Sequence, residues 1–206
     1  RHGYKTVGVG KITHGYPHDM LFQQYGGGGQ FGPKPGNEKV RFHYEPDWSL
    51  PFTGTQTDWG PFPDVDEKMP DHKSAEWAIK QLSLTHDKPF FIGVGFMRPH
   101  VPFYVPQKWF DMFPLGDVQL PKIPDDDLSD VPETSRLLHE MPRYPQLQWL
   151  RENNNEQLRR CIQAYLACTA FVDHQVGRVL NALDARDDTD NTVIVLFSDH
   201  GYHLGE

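Results

Sequence analysis

The sequence predicts an α/β fold, a mixed but mostly parallel sheet flanked by helices. Three short runs carry that prediction. KTVGVG (5 to 10), PFFIGVGF (89 to 96) and TVIVLFSD (192 to 199) are apolar without alternation, the pattern of strands covered on both faces of a parallel sheet. Two segments with helical periodicity separate them, so the order is strand, helix, strand, helix, strand, with right-handed crossovers expected.

The first strand ends at Gly10, where the polar KITHG begins. A helix is expected over 71 to 84, because DHKSAEWAIKQLSL follows Pro70 and Ala75, Ala78, Ile79 and Leu82 recur at helical spacing. After the second strand, the longest helix is expected from about Glu156 to Leu183. There Leu158, Ile162, Tyr165, Thr169, Val172, Val176, Val179 and Leu183 step by four and three along a rod about 40 Å long. The polar turn LDARDDTDN then leads into the third strand. All but one of the 18 prolines fall in 17 to 70 or 99 to 145, which reads as two long, ordered surface loops with little regular structure. GGGG at 26 to 29 reads as a flexible loop without the features of a phosphate cradle.

Composition narrows the function classes. A length of 206 residues accommodates one large domain or two small ones. Twenty Lys and Arg against 28 Asp and Glu leave a net charge of −8, a field that opposes nucleic acid and anionic membrane. No stretch approaches the roughly 20 apolar residues needed to span a bilayer. Cys161 and Cys168 lie two turns apart on the long helix, roughly 10 Å between Cα atoms, so they do not pair with each other and read as small buried hydrophobes.

Each strand delivers polar residues at its carboxyl end, which is where open α/β sheets bind ligands. Lys11 and His14 follow the first, Arg98 and His100 the second, and Asp199, His200 and His203 the third. Singly, a Lys or His after a strand is more often a solvated loop residue. The Asp199-His200 pair carries more weight, because a carboxylate and an imidazole side by side at a glycine turn suit one shared cation.

Together, GYKTVGVGKITHG, the segment MRPHVPF after its strand, the helix AYLACTAFVDHQVGRVLNAL and the terminal IVLFSDHGYHLGE resemble the sulfatase family, in order and in spacing. The GKITHG and RPHVPF versions are most similar to the iduronate 2-sulfatase branch of this alkaline-phosphatase-like superfamily. The resemblance implies metal-dependent hydrolysis of sulfate esters, on a sulfated glycan or uronic acid. It implies that Lys11 holds a sulfate oxygen, that His14 assists proton removal from the attacking group, and that His100 stabilises charge or protonates the leaving alcohol. It implies Asp199 and His200 as metal ligands, usually to calcium, with zinc or magnesium as alternatives. Arg98 and His203 are candidate substrate contacts, Arg98 equally a holder of its own loop.

Three parts of the family pattern are not found in this sequence. The family nucleophile is a formylglycine made within C-x-P-x-R, and neither cysteine lies in that motif. An N-terminal Asp pair that adds metal oxygens and a Lys beyond the last residue are also missing. The expectation is therefore that 1 to 206 is the central part of one catalytic domain and that it does not turn over substrate alone. Two rivals stand beside this reading: a zinc-dependent phosphate mono- or diester hydrolase of the same superfamily, and a degenerate glycan-binding fragment. Kinship implies an extracytoplasmic setting, whether periplasmic, secreted or lysosomal.

Overall fold

A computed structural model describes residues 3–14, 18–34, 58–139 and 146–204. The first strand, β1 (Lys5–Gly10), lies at the centre of a three-stranded sheet, between β2 (Gln24–Tyr25) and β4 (Phe90–Gly95), and both pairings are parallel. Glycines alternate with valines in KTVGVG for a packing reason. Gly8 sits directly across from Gly93, and a Cβ at either would meet the Phe22 ring, at 2.8 and 3.0 Å respectively. The glycine pair is thus a shallow trough that Phe22 fills, while Val7 and Val9 are buried within the sheet.

Helix α1 (Pro70–Leu82) packs on β1 and β4, with Pro70 in its first turn, where a missing N–H costs nothing. Ala75, Ala78 and Leu82 of the expected stripe are buried. Behind α1 runs α5 (Asn155–Asp184), 30 residues long, capped by the Asn154 side chain, which accepts from the Gln157 N–H. Its core face differs from the expected stripe. Thr169 is exposed, and the buried positions include Cys161, Ala164, Ala167, Cys168 and Phe171. Leu158, Ile162 and Leu183 of the expected stripe are buried as well, so the core face is wider than that stripe and takes in the small residues beside it.

The proline-rich stretches are surface loops only in part, since much of 111–138 is exposed but other residues enter the core. Within their described residues, β3 (Trp59–Pro61) and β5 (Phe103–Val105) form a second parallel pair, followed by the short α2 (Gln107–Phe110) and α3 (Glu133–His139). Trp59, Phe103, Val105, Trp109 and Phe110 are buried against α5 and against α4 (Gln146–Asn153), in the largest apolar cluster of the described residues. The Trp109 indole packs edge-on to Phe171 and donates to the buried Asp66 carboxylate at 2.8 Å. Expected features of 35–57 and 140–145 lie outside the described residues.

The third expected strand is corrected outright. Residues 193–197 have no regular structure and pair with no strand among the described residues, and they are between 54 and 89% exposed. An apolar run becomes a strand only where another segment pairs with its backbone, and no described segment does so here. Two strands, not three, therefore carry the sheet ends on which the candidate residues converge. The polar turn before this run is nonetheless well anchored: Arg186 donates to the carbonyls of Leu82 and Leu84 and pairs with Asp188, tying the end of α5 to the end of α1.

Candidate active site

Lys11 leaves the carboxyl end of β1 through a set of backbone approaches that only glycine permits. Gly10 has φ +81°, and a Cβ there would collide with the Gly95 carbonyl across the ladder. Lys11 itself donates its N–H to that carbonyl at 3.2 Å. On the other side, GGGG is a packed strap and not a flexible loop. Gly26 donates to Gly8 and Gly10 donates to Gly27, continuing the ladder past β2, and a Cβ on Gly28 or Gly29 would press on Gly10 or Lys11 backbone at 3.0 to 3.3 Å. Tyr25, stacked on His18 at 4.1 Å between ring centroids, closes the cradle by donating its hydroxyl to the Gly10 carbonyl. The signal for this strap was the glycine count itself, read as freedom when it marks close approach.

His100 follows β4 on a loop fixed from two directions. Both oxygens of the buried Asp71 carboxylate, in the first turn of α1, accept backbone N–H groups, from Met97 at 2.8 Å and Arg98 at 2.9 Å. Arg98 is 4% exposed, and its guanidinium donates to three carbonyls: Tyr104 at 3.0 Å, His100 at 3.1 Å and Phe31 at 2.8 Å. The fork is thus spent on its own loop, the second of the two roles open to it from sequence. Behind it lies Cys168, whose thiol burial pushes up to about 12, while Cys161 is raised further. Neither thiol has thiolate character at neutral pH, so neither supplies a nucleophile.

The His100 ring rests against Phe31 at 5.1 Å between centroids, and its Nδ1 lies 2.7 Å from the Val101 carbonyl. A carbonyl only accepts, so Nδ1 carries the proton and the neutral ring keeps its lone pair on Nε2. Burial holds the imidazole below the ordinary histidine range; the bond to Val101 works against this, and the charges of Lys11, Arg98 and His200 reinforce it.

Asp199 and His200 lie past the uncovered run, both largely exposed. His200 Nδ1 donates to the Gly201 carbonyl at 2.9 Å, which leaves its Nε2 free at 3.7 Å from an Asp199 oxygen. Slight burial raises the Asp199 carboxyl, but His200, its N–H and Lys11 together outweigh that and leave it below the usual carboxylate value. Two donors at this separation fit adjacent positions around one cation. Among the described residues no third His, Cys, Asp or Glu joins them, whereas calcium takes about six to eight ligands.

The sequence-named residues therefore divide. Lys11 and His200 each lie within electrostatic reach of both His100 and Asp199, although the segments are far apart in the chain. His14 is exposed on the turn after Lys11, and His203 is exposed three residues beyond His200, beside Tyr202, which packs on Phe103 and Tyr165. Sequence reasoning missed Asp71 and Phe31. A carboxylate directly after a helix-starting proline was the visible sign of the first; nothing marked the second.

The sulfatase family model matches residues 1–206. The chain belongs to the sulfatase family. It is 43% identical over its whole length to a sulfatase of Formosa agariphila, covering 41% of that protein. It is 30% identical over 99% of its length to mouse iduronate 2-sulfatase, covering 39% of it. A Clostridium perfringens arylsulfatase is 32% identical over 58% of the chain. The chain thus spans about two fifths of the length of the curated relatives it matches end to end.

Proposed function

We propose that the intact sulfatase containing this chain hydrolyses sulfate esters, with residues 1–206 as the central part of one catalytic domain. The observation that supports this is that Lys11, after β1, and His200 both act electrostatically on His100, after β4, and on Asp199. A sulfate ester is an anion. Lys11 would neutralise one of its oxygens, and His14 would take the proton of the attacking oxygen. His100 is held neutral in the absence of ligand. The negative charge of a bound ester would raise its pKa, so that Nε2 acquires a proton to give to the departing alcohol. A divalent cation on Asp199 and His200, calcium in this reading, would add charge stabilisation of the sulfate oxygens.

The finer substrate in this reading is a sulfated uronic acid or related glycan, in line with the iduronate 2-sulfatases among the relatives. Arg98 takes no part in holding it, while His203 remains a substrate contact. The setting is extracytoplasmic, and no helix of the described residues is long and apolar enough to cross a membrane. The formylglycine nucleophile would come from outside this chain, so the 206-residue polypeptide alone is inactive.

The test is turnover of phenyl sulfate, whose leaving oxygen needs a proton, by the intact protein. Lys11→Ala and His100→Ala should each lose on the order of 10²–10³-fold in kcat, and chelation followed by calcium should abolish and then restore activity. Unchanged turnover in His100→Ala refutes the reading. Preference for phosphate esters with two bound zinc ions would instead favour the phosphohydrolase alternative.

A further inference from the structure

The buried Asp71 carboxylate touches none of Lys11, His100, Asp199 and His200, yet it ends in the loop that carries one of them. It sits in the first turn of α1, and each of its oxygens takes one N–H from the residues that leave β4, Met97 and Arg98. Two consecutive N–H groups turned toward one carboxylate fix the direction in which the chain leaves the strand. Arg98 then carries that constraint forward. Its guanidinium reaches the His100 carbonyl, the Tyr104 carbonyl at β5 and the Phe31 carbonyl beyond the glycine strap. The Phe31 backbone is thereby held where its ring meets the imidazole. From the Asp71 carboxylate the contacts run through the Arg98 backbone N–H, the Arg98 guanidinium, and the Phe31 carbonyl and ring, ending at His100.

We infer that Asp71 is a positioning residue for His100, acting through the Arg98 fork and Phe31 to aim the His100 Nε2 at the leaving-group oxygen. This rests on the reading of His100 as the leaving-group acid given above. A carboxylate is required for the role because both N–H groups need acceptors. An amide at the same position offers one oxygen and turns an NH2 donor toward the other N–H. The loop then loses one anchor and gains a donor facing a donor, with almost no change in volume.

The consequence is specific to the leaving group. A misaimed acid matters most where the departing oxygen needs a proton and least where it leaves readily as an anion. In the intact protein, Asp71→Asn should lower kcat for phenyl sulfate on the order of 10–100-fold while changing KM little, and lower kcat for 4-nitrophenyl sulfate much less. His100→Ala should show the same selectivity, and the double variant should be no worse than His100→Ala, because both act through one proton transfer. Should Asp71→Asn not accumulate as folded protein, Arg98→Lys reads the same ratio, since it keeps the charge and gives up only the fork.

Equal losses on both substrates in these variants, or additive losses in the double variant, overturn the inference and leave Asp71 as a folding residue alone. Lack of leaving-group selectivity in His100→Ala is a different failure, that of the acid assignment itself. Selectivity in His100→Ala without it in Asp71→Asn and Arg98→Lys removes the positioning role only.

Discussion

Two glycine-to-alanine changes should move stability in opposite directions. At Gly10 the backbone has φ +81°, a conformation that costs an L-residue roughly 1–2 kcal/mol. The new methyl would also meet the Gly95 carbonyl. That atom belongs to the β4 backbone, which cannot rotate away as a side chain would. Parting the β1–β4 ladder at its carboxyl end adds the cost of overpacking, about 1–3 kcal/mol. The sum is about 2–5 kcal/mol of destabilisation. Gly177 lies inside α5, and nothing stands within 4 Å of its would-be Cβ. Alanine there should stabilise by about 0.5–1 kcal/mol, since a helical glycine gives up more chain entropy on folding than alanine does. Denaturant unfolding followed by tryptophan fluorescence reads both changes against wild type. If Gly10→Ala lies within about 0.5 kcal/mol of wild type, the range of an inconsequential surface change, then the strand ends are not in the contact described. The account of how Lys11 is held would go with it.

Other consequences are measurable. Cys161 and Cys168 should resist iodoacetamide at pH 8 in the folded protein and both react in denaturant, since burial raises both thiols; rapid labelling of folded protein would contradict their burial. Asp66→Ala should cost about 1–3 kcal/mol, because it leaves the Trp109 indole N–H buried without its acceptor; a neutral result in thermal unfolding would mean the indole finds another partner. By NMR, His100 should titrate below 6.5 in ligand-free protein, and Lys11→Met should raise its pKa by removing a like charge. The folded state then binds fewer protons than the unfolded one. The contribution of His100 to stability is therefore present above the unfolded value of 6.5 and falls away as pH drops toward the folded pKa. A folded-state value at or above 6.5 would show that burial does not govern the ring.

The elements most legible in the sequence were those whose pattern has a single physical cause. β1 occupies the expected residues, β4 lies within its run, and α1 and α5 fall within a residue or two of their predicted spans. Apolar runs and helical spacing report burial along a local segment, and each of these four has a packing or pairing partner among the described residues, although β4 lies at the sheet edge with Phe91 56% exposed. TVIVLFSD has the same local signal and forms no strand here, because pairing depends on another segment that its own residues do not encode.

The sequence by itself determined the residue types and the order in which the chain presents them: a Lys after one strand, a His after the next, an Asp-His pair before a terminal glycine turn, and with these the family. Tertiary structure alone decided what surrounds them. It turned GGGG from slack into a strap, spent Arg98 on three carbonyls, and brought a carboxylate from the start of α1 beneath the loop of His100. The physical reason is that a side chain's partners are fixed by distance in space. Hydrogen bonds between residues 26 to 67 positions apart leave no trace in the spacing of either partner.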